Sequence, residues 1–444
     1  MVKEMRSDLS PLKVTKHNHV FVKFAVSFLL MGLAFRLLIS DSFSFSSVVE
    51  PQQTAAETKT ESPAPSLPIQ DPLINYSLGD EKARASKAVA GSCDLFRGDW
   101  IPDPSGPFYT NQSCLAIESH QNCMRNGRPD SGYLYWRWSP RDCNLPRFNP
   151  QRFLDLMRNK SWGFIGDSIS RNHVQSLLCI LSQVEKAVEV YHDEEYRSKI
   201  WHFPSHNFTL SVIWTPFLLK ADIFEDMNGV ASSEIQLHLD KLDEKWTNEY
   251  KKFDYVVIAG GKWFLKTAIY LENNAVKGCH YCPGKNLRDL GFDHAYRKAL
   301  QLILKFIVKS GHKAFVFIRT TTPDHFENGE WFSGGTCNRT IPFKEGEANM
   351  ADVDLIMHNI ELEEYKKAAT LGSENGVTLK LLDTTQLSLL RPDGHPGPYR
   401  TFQPFATDEG AKVQNDCLHW CLPGPIDSWN DLLMAMVVND GTYR

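Results

Sequence analysis

From residue 150 onward, short apolar runs alternate with segments that carry a helical pattern of apolar residues. The apolar runs have the length of strands and read WGFI (162–165), FDYVVIAGG (253–261), KAFVFIRT (313–320) and VTLKLLD (377–383). The helical segments start after Asn149-Pro150 and recur at 169–182, 292–309, 352–370 and about 427–438. This alternation predicts an α/β fold with a parallel sheet and helices on both faces.

Size and charge narrow the function classes. The chain has 444 residues, 42% of them hydrophobic, and this length permits two to three domains. Its net charge is −5 and it carries no nucleic-acid motif, so no nucleic-acid partner is expected. Residues 185–250 show no clear period, which leaves a β-rich insertion and a loop insertion open.

The N-terminus contains an apolar segment, residues 20–40, of the length that spans a bilayer, about 20 residues. Four basic residues precede residue 20. The positive-inside rule then predicts a cytosolic tail at 1–19, a transmembrane signal anchor at 20–40 and a lumenal chain beyond it. A signal peptide cleaved near Ser40-Asp41-Ser42 is the alternative, although its leading polar region would be unusually long.

The lumenal chain changes character near residue 91. Residues 41–90 are rich in Ser, Pro, Thr, Ala and Glu without an amphipathic period, so we expect a disordered stem. A lumenal domain is predicted at 91–444. Its first part, 91–150, holds four cysteines and many aromatics, which predicts a small, irregular lobe tied by disulfides, and 151–444 is the predicted α/β part.

Cysteines and sequons agree with this topology. Ten cysteines, an even number, lie between residues 93 and 421, as is typical of an oxidising compartment. N-glycosylation sequons occur at Asn75, Asn111, Asn159, Asn207 and Asn338. A sequon alone is a weak indication, and its weight here comes from its coincidence with the anchor and the cysteines.

Gly166-Asp167-Ser168 lies where a predicted strand ends and a predicted helix begins. Ligands of open α/β sheets bind at this edge, and a helix N-terminus offers main-chain N–H groups to a developing oxyanion. Ser168 is therefore a candidate nucleophile. The alternative is that Asp167 or Ser168 only caps the helix.

Asp416 and His419 lie three residues apart in DCLHWC (416–421), so one helical turn would place them on one face. The carboxylate can then orient the imidazole, which takes the proton of a serine hydroxyl. Cys417 and Cys421 could pin the histidine by disulfides. A buried structural histidine and a zinc site are the alternatives, and no metal is expected because cysteines in disulfides cannot ligate zinc.

Ser168, Asp416 and His419 together form a Ser–Asp–His set without the G-x-S-x-G elbow of the α/β-hydrolases. An early Gly-Asp-Ser and a late Asp-x-x-His are what GDSL/SGNH hydrolases show. Over about residues 91–440 the chain resembles the plant trichome birefringence-like family, whose catalytic part belongs to the PC-esterase group. The segments that carry the resemblance are CDLFRGDWIPD (93–103), CMRNGRPDSGYLYWRW (123–138), FIGDSISRN (164–172), GGKWF (260–264), RPDGHPGPY (391–399) and DCLHWCLPGPIDSWN (416–430).

The resemblance implies an SGNH-like fold and an O-acetyltransferase that acetylates hemicelluloses in the Golgi. We therefore expect a single-pass type II protein of the Golgi membrane with its catalytic domain in the lumen. The implied reaction is a double displacement: His419 deprotonates Ser168, Ser168 takes an acetyl group from a donor, and a sugar hydroxyl then attacks the acetyl-serine. Asp416 would hold the tautomer of His419.

Further site residues follow from the same resemblance. Oxyanion and substrate contacts are predicted for Asp167, Arg171, Gly261 and Trp263, together with the N–H of Ser168. SGNH enzymes usually carry an asparagine where this chain has Lys262-Trp263, so one oxyanion donor is missing from the pattern. Trp263, Tyr399 and Trp420 are candidates for stacking on sugar rings.

Two groups of residues have mainly structural interpretations. RPDGH (391–395) is interpreted as a rigid turn, with an acid–base role as the alternative. For the cysteines, the resemblance implies the pairs Cys93–Cys143, Cys114–Cys179, Cys123–Cys421 and Cys337–Cys417. Cys279 and Cys282 remain as a local pair, for which a structural tie is favoured over redox activity.

The acceptor is predicted from TTTPDHFENGEW (320–331) and CNRTIPFKEGE (337–347), which resemble the mannan and xyloglucan subgroup. Glucomannan is the expected acceptor, followed by xyloglucan and then xylan. An acetyl donor is required but no cofactor, and acetyl-CoA is one candidate donor although no CoA-binding signature is visible. An acetylesterase and a non-catalytic binder of wall polysaccharides stay open as other functions.

Overall fold

A seven-stranded sheet forms the centre of the protein in a computed structural model that describes residues 93–224 and 232–442. Its strands, in spatial order, are β13 (Thr378–Leu382), β12 (Phe315–Arg319), β9 (Tyr255–Ile258), β3 (Ser161–Gly166), β6 (Phe208–Trp214), β5 (Lys199–Phe203) and β4 (Val188–His192). The first five strands are parallel, whereas β5 and β4 pair antiparallel at one edge. The parallel centre agrees with the predicted α/β fold, and the antiparallel edge makes the sheet mixed.

The central strand β3 is apolar on both faces. Every residue of β3 after Ser161 is buried, which explains why its sequence shows no alternation. Trp162 and Phe164 contribute to one apolar core and Ile165 to the other. The ring of Trp162 stacks on Tyr255 of β9 at a centroid distance of 4.8 Å, so aromatic packing aligns the strands that end at the candidate site.

Helices cover both faces of the sheet, as predicted. They are α1 (Pro150–Leu156), α2 (Ser168–Leu181), α3 (Glu244–Thr247), α4 (Gly291–Lys309), α5 (Asp352–Glu374), α6 (Thr385–Leu389) and α7 (Asp427–Thr442). Helices α2 and α7 belong to the core on one face, and α4 and α5 to the core on the other. Short 3-10 segments are Ser119–Gln121, Gly132–Leu134, Tyr250–Lys252, Lys262–Leu265, Pro392–Gly394 and Pro398–Arg400.

The region without a clear period is β-rich, which was one of its two interpretations. It supplies β4 to β6 of the main sheet and half of a second, four-stranded sheet. The strands of that sheet, in spatial order, are β11 (Ala275–His280), β10 (Ala268–Glu272), β8 (Ile235–Leu242) and β7 (Leu219–Asp222).

The N-terminal segment shares a core with the α/β part. Strands β1 (Gly98–Pro102) and β2 (Trp136–Pro140) pair antiparallel. Trp100 on β1 is buried, and its indole N–H donates to the carbonyl of Leu387 at 2.8 Å. The hydroxyl of buried Tyr109 donates to Asp427, also at 2.8 Å. These long-range bonds fix the segment against the elements that carry the site.

Five disulfides join the cysteines: the four pairs that the resemblance implies and the local pair that remains. They are Cys93–Cys143, Cys114–Cys179, Cys123–Cys421, Cys279–Cys282 and Cys337–Cys417. The predicted tail, anchor and stem (1–19, 20–40 and 41–90) lie outside the described residues. Within residues 93–224 and 232–442, no helix has both the length and the apolar composition that crossing a membrane requires.

Candidate active site

The candidate nucleophile sits on the turn from β3 into α2. Gly166 ends the strand, and a Cβ at this position would collide with the carbonyl oxygen of Ala259. Only glycine lets these two backbone segments approach this closely. Asp167 is the N-cap, since its carboxylate accepts from the N–H of Ile169 at 3.0 Å. Ser168 is the first helical residue and is half-buried, and among the described residues its hydroxyl has no hydrogen-bond partner.

Asp167 acts as the helix cap, one of the two interpretations of this residue. It is only 5% exposed, and burial raises the pKa of its carboxyl, while the charge of Arg319 opposes that shift. The Asp167 carboxylate is thus buried and already accepts the N–H of Ile169. The predicted contact between Asp167 and substrate therefore has no exposed carboxylate to make it.

Asp416 and His419 form the acid–base half of the site. The His419 Nδ1 lies 2.9 Å and 3.1 Å from the two carboxylate oxygens of Asp416. Asp416 also accepts from the main-chain N–H groups of Leu418 and His419. Burial opposes ionisation of Asp416, but the charge and hydrogen bonds of His419 outweigh it and hold the pKa of Asp416 far below its usual range. The carboxylate thus fixes Nδ1–H and turns Nε2 into a base.

Asn172 connects the two halves of the site. It lies one helical turn after Ser168 and is fully buried. Its side-chain amide donates to the carbonyl of Trp420 at 3.3 Å and accepts from the Trp420 N–H at 2.7 Å. The residue next to His419 is therefore bound to the helix that carries Ser168, which brings the predicted nucleophile and base to the same edge of the sheet.

The loop 416–421 is held from several sides. Cys417 is bonded to Cys337 and Cys421 to Cys123, so the chain on both sides of His419 is tied to distant residues. Gly397 exchanges two main-chain hydrogen bonds with Asp416. These ties reduce the freedom of His419 before substrate binds.

The segment RPDGH (391–395) packs against the loop 416–421. Arg391 is fully buried and forms a two-pronged ion pair with Asp393 at 2.8 and 2.9 Å. His395 stacks on Trp420 at 4.3 Å, and its Nδ1 donates to the carbonyl of His419 at 2.7 Å. The rigid-turn interpretation describes this segment well. Trp420 is fully buried, so the predicted stacking of a sugar on this ring is wrong.

One predicted oxyanion donor, Gly261, lies just after the neighbouring strand. Gly261 follows β9, which pairs in register with β3, so it reaches the same sheet edge as Ser168. A Cβ on Gly261 would lie 2.5 Å from the Thr321 hydroxyl. Among the described residues the Gly261 N–H donates no hydrogen bond and is available to an oxyanion. Lys262, in the place of the usual asparagine, instead pairs with Asp324 and Asp354 at 2.8 and 2.5 Å.

Arg171 lies on α2, three residues after Ser168. Its guanidinium lies over the ring of Trp214 at 4.9 Å, and Trp214 is the register partner of Gly166. Burial lowers the pKa of Arg171, and no carboxylate among the described residues forms an ion pair with it. A partly desolvated cation without a partner is suited to a developing negative charge. The half-buried Trp263 packs edge-on against Trp214 at 5.5 Å.

Two residues near the candidate triad, His120 and Asn172, are not among the predicted site residues. His120 packs perpendicular to His419 with ring centroids 6.2 Å apart. The pKa of His120 is lowered, mainly by burial and to a smaller extent by the charge of His419. The implied Cys123–Cys421 pair could have indicated this neighbour of Cys123. Asn172 could have been found as a polar residue one turn after Ser168 on a face that is otherwise buried.

The remaining predicted sites lie at the surface. Asn159, Asn207 and Asn338 are exposed, Asn111 is half-buried and Asn75 lies outside the described residues. Within 93–224 and 232–442, no group of three His, Cys, Asp or Glu could hold a metal ion. The zinc interpretation of residues 416–421 loses its ligands because both cysteines there are in disulfides.

Comparison with known proteins assigns both parts of the domain to described families. Residues 145–436 match the family described as PC-Esterase, a GDSL/SGNH-like Acyl-Esterase family found in Pmr5 and Cas1p. Residues 91–144 match the PMR5 N terminal Domain. The boundary falls just before α1, so the candidate site combines Ser168, Asp416 and His419 of the first family with His120 of the second.

Full-length relatives support the same assignment. Protein trichome birefringence-like 25 of Arabidopsis thaliana is 58% identical over 439 residues, covering 97% of this chain and 95% of that protein. Xyloglucan O-acetyltransferase 1 of Arabidopsis thaliana is 41% identical over 426 residues, covering 96% and 97%. Xyloglucan O-acetyltransferase 2 of Populus trichocarpa is 45% identical over 354 residues, covering 78% and 82%. The chain therefore belongs to the trichome birefringence-like family, with a PC-esterase catalytic part behind a PMR5-type N-terminal segment.

Proposed function

We propose that this protein transfers acetyl groups to hydroxyls of a hemicellulose through an acetyl-serine at Ser168. The observation that carries the proposal is the Asp416–His419 pair, bound through Trp420 and Asn172 to the helix that begins at Ser168. Family membership and relatives named as xyloglucan O-acetyltransferases make the enzyme an O-acetyltransferase of polysaccharides.

The first half-reaction loads the serine. His419 Nε2 takes the proton of Ser168, whose oxygen attacks the acetyl carbonyl of the donor. In this proposal the N–H groups of Ser168 and Gly261 and the guanidinium of Arg171 stabilise the oxyanion. The intermediate collapses, the donor's carrier leaves with the proton from His419, and acetyl-Ser168 remains.

The second half-reaction transfers the acetyl group. His419, neutral again, takes the proton of a sugar hydroxyl, and the hydroxyl oxygen attacks the acetyl-serine. Collapse of this intermediate returns the proton to Ser168 and releases the sugar acetate. Asp416 stabilises the imidazolium in both halves. If water took the place of the sugar, the same groups would give an acetylesterase.

Glucomannan is the acceptor we favour, with xyloglucan second. The segments 320–331 and 337–347 support the mannan and xyloglucan subgroup, and residues from both border the loop that carries His419. His325 donates its main-chain N–H to Cys417, and Cys337 is bonded to Cys417. The relatives named for xyloglucan are 41–45% identical to this chain, which supports xyloglucan as the second acceptor.

The proposed setting is the Golgi membrane, with residues 20–40 as the anchor and the catalytic domain in the lumen. Five disulfides support an oxidising compartment. The exposed sequon residues Asn159, Asn207 and Asn338 are accessible for glycosylation there.

The test incubates the full chain with acetyl-CoA and deacetylated oligomers of glucomannan, xyloglucan and xylan, and follows acetylation by mass spectrometry. We expect acetylated glucomannan oligomers and an acetyl group on Ser168 when acceptor is withheld. Release of free acetate alone, without acetylated sugar, would refute transfer and leave the esterase.

Matched serine variants separate the nucleophile from general damage. Ser168→Ala should abolish both the acetyl-enzyme and the product. Ser182→Ala, at the other end of the same helix, removes a hydroxyl that donates to the Cys179 carbonyl and should leave transfer intact. Full transfer by the Ser168 variant would refute Ser168 as the nucleophile, and a full effect of that variant on wall acetylation would favour the non-catalytic binder.

A further inference from the structure

Two histidines outside the triad face each other behind the catalytic loop. His325 Nδ1 lies 2.7 Å from His395 Nε2, and His395 is buried while His325 is half-buried. Each ring also meets a main-chain carbonyl with its other nitrogen. His325 Nε2 lies 2.9 Å from the carbonyl of Leu389, and His395 Nδ1 lies 2.7 Å from that of His419.

These carbonyls decide where the protons are. A carbonyl oxygen only accepts, so His325 Nε2 and His395 Nδ1 must both carry hydrogen. In two neutral rings, the two remaining nitrogens would then present lone pairs to each other at 2.7 Å. A hydrogen bond between them requires one additional proton on the pair.

We propose that His325 and His395 share one proton at neutral pH and that this charged pair positions His419 through its main-chain carbonyl. Both are positioning residues, because neither touches the reacting atoms. The proposal rests on the proposed function for its catalytic readout only.

The surroundings limit the pair to a single charge. Burial lowers the pKa of His325, and burial together with the neighbouring His325 holds the pKa of His395 well below its usual range. Both shifts oppose protonation and disfavour a second proton, whereas the 2.7 Å contact between the two ring nitrogens requires a first one. The charged or titratable groups that face the two rings are Asp324, Lys262, Asp393, Arg128, Asp416 and His419. Each carboxylate among them already has a partner: Lys262 for Asp324, Arg391 for Asp393 and His419 for Asp416.

The hydrogen bond from His395 matters because it holds the main-chain carbonyl of His419 in place. His395 donates to the carbonyl of His419 through Nδ1 and stacks on the ring of Trp420 at 4.3 Å. Once the shared proton leaves, the facing lone pairs repel and one ring must move. The carbonyl of His419 then loses its donor, and the base loses its alignment with Ser168. Activity should therefore fall as pH rises through the pKa of the pair.

The direct test measures exchange of the imidazole C2 hydrogen in the full chain by mass spectrometry across pH, which reports the protonation of each histidine and needs no substrate. We expect His325 and His395 to titrate together, with one proton still bound at about pH 7. Two neutral rings at that pH would overturn the proposal. Absence of acetyl transfer would count against the proposed function and leave this readout untouched.

Two variants test the link to activity. His325→Asn places a neutral amide donor near the position of Nδ1, so it should retain kcat and lose the fall at alkaline pH. His325→Phe offers no donor and should lower kcat about tenfold to a hundredfold at every pH. Urea unfolding checks that both variants fold. An Asn variant that keeps the alkaline fall of the wild type would overturn the positioning role, as would a wild type without such a fall.

Discussion

Asn172→Ala should damage the catalytic machinery without touching any of its reacting atoms. The substitution removes both hydrogen bonds between α2 and the main chain of Trp420, at 2.7 and 3.3 Å. The Trp420 N–H and carbonyl are then left without partners in a buried environment. Each unsatisfied buried group costs about 1–3 kcal/mol, and since the longer bond is the weaker, we expect a loss of about 2–4 kcal/mol in unfolding free energy.

The catalytic loss should exceed what the lost stability alone produces. The disulfides of Cys417 and Cys421 still hold the loop, so the chain folds, but the distance between Ser168 and His419 is no longer fixed. A displacement of about 1 Å costs roughly a hundredfold in rate. We therefore expect kcat to fall about tenfold to a hundredfold, with KM changed less. Urea unfolding and acetyl-transfer kinetics on the same preparation measure both quantities.

Gln175→Ala is the matched control. Gln175 lies on the same helix and is buried, but its amide donates to the carbonyl of Ala116 in the N-terminal segment. Its loss should lower stability by about 1–2 kcal/mol and leave kcat unchanged. An Asn172→Ala protein that folds and turns over at the wild-type rate would refute the reasoning, as would an equal loss of kcat in both variants.

Three further predictions follow from the described contacts. Asp416→Asn should lower kcat about 10⁴-fold, measured with glucomannan oligomers, because an amide cannot stabilise the imidazolium of His419; retained activity would remove Asp416 from the triad. Burial raises the pKa of Asp431 to about 7, so the unfolded chain loses this proton more readily and the unfolding free energy falls as pH rises from about 4 to 7. Asp431→Asn should therefore stabilise the protein at about pH 7 and reduce that fall. An unchanged pH dependence in urea unfolding would refute this prediction. Replacing Cys123 and Cys421 by Ser should lower unfolding free energy by about 2–5 kcal/mol, and equal urea midpoints would contradict it.

The elements that could be predicted are those whose own residues report their burial. The strand at WGFI is buried on both faces, and α4 carries a buried stripe, so their sequences are sufficient. Strand β4 (Val188–His192) is exposed along its whole length, which removes the alternation that would reveal it. The edge of the sheet is therefore invisible to a pattern of apolar residues.

The site divides in the same way. Ser168, Asp416 and His419 have motifs, since their chemistry demands particular residues at particular spacings. The ion pairs of Lys262, by contrast, join residues 62 and 92 positions apart and depend on the tertiary fold. The contact of His325 with His395 spans 70 residues and has no local signature. Such contacts can be read only once the loops have been placed.

The disulfides on either side of His419 also determine when activity can begin. Cys417 and Cys421 reach partners 80 and 298 residues away, one of them in the N-terminal segment. A newly made chain with reduced cysteines has neither tie, so only non-covalent contacts, such as those of Asn172 with Trp420, hold the His419 loop to the helix of Ser168. We therefore expect the reduced chain to have lower activity than the oxidised one, so oxidative folding would contribute to the maturation of this enzyme.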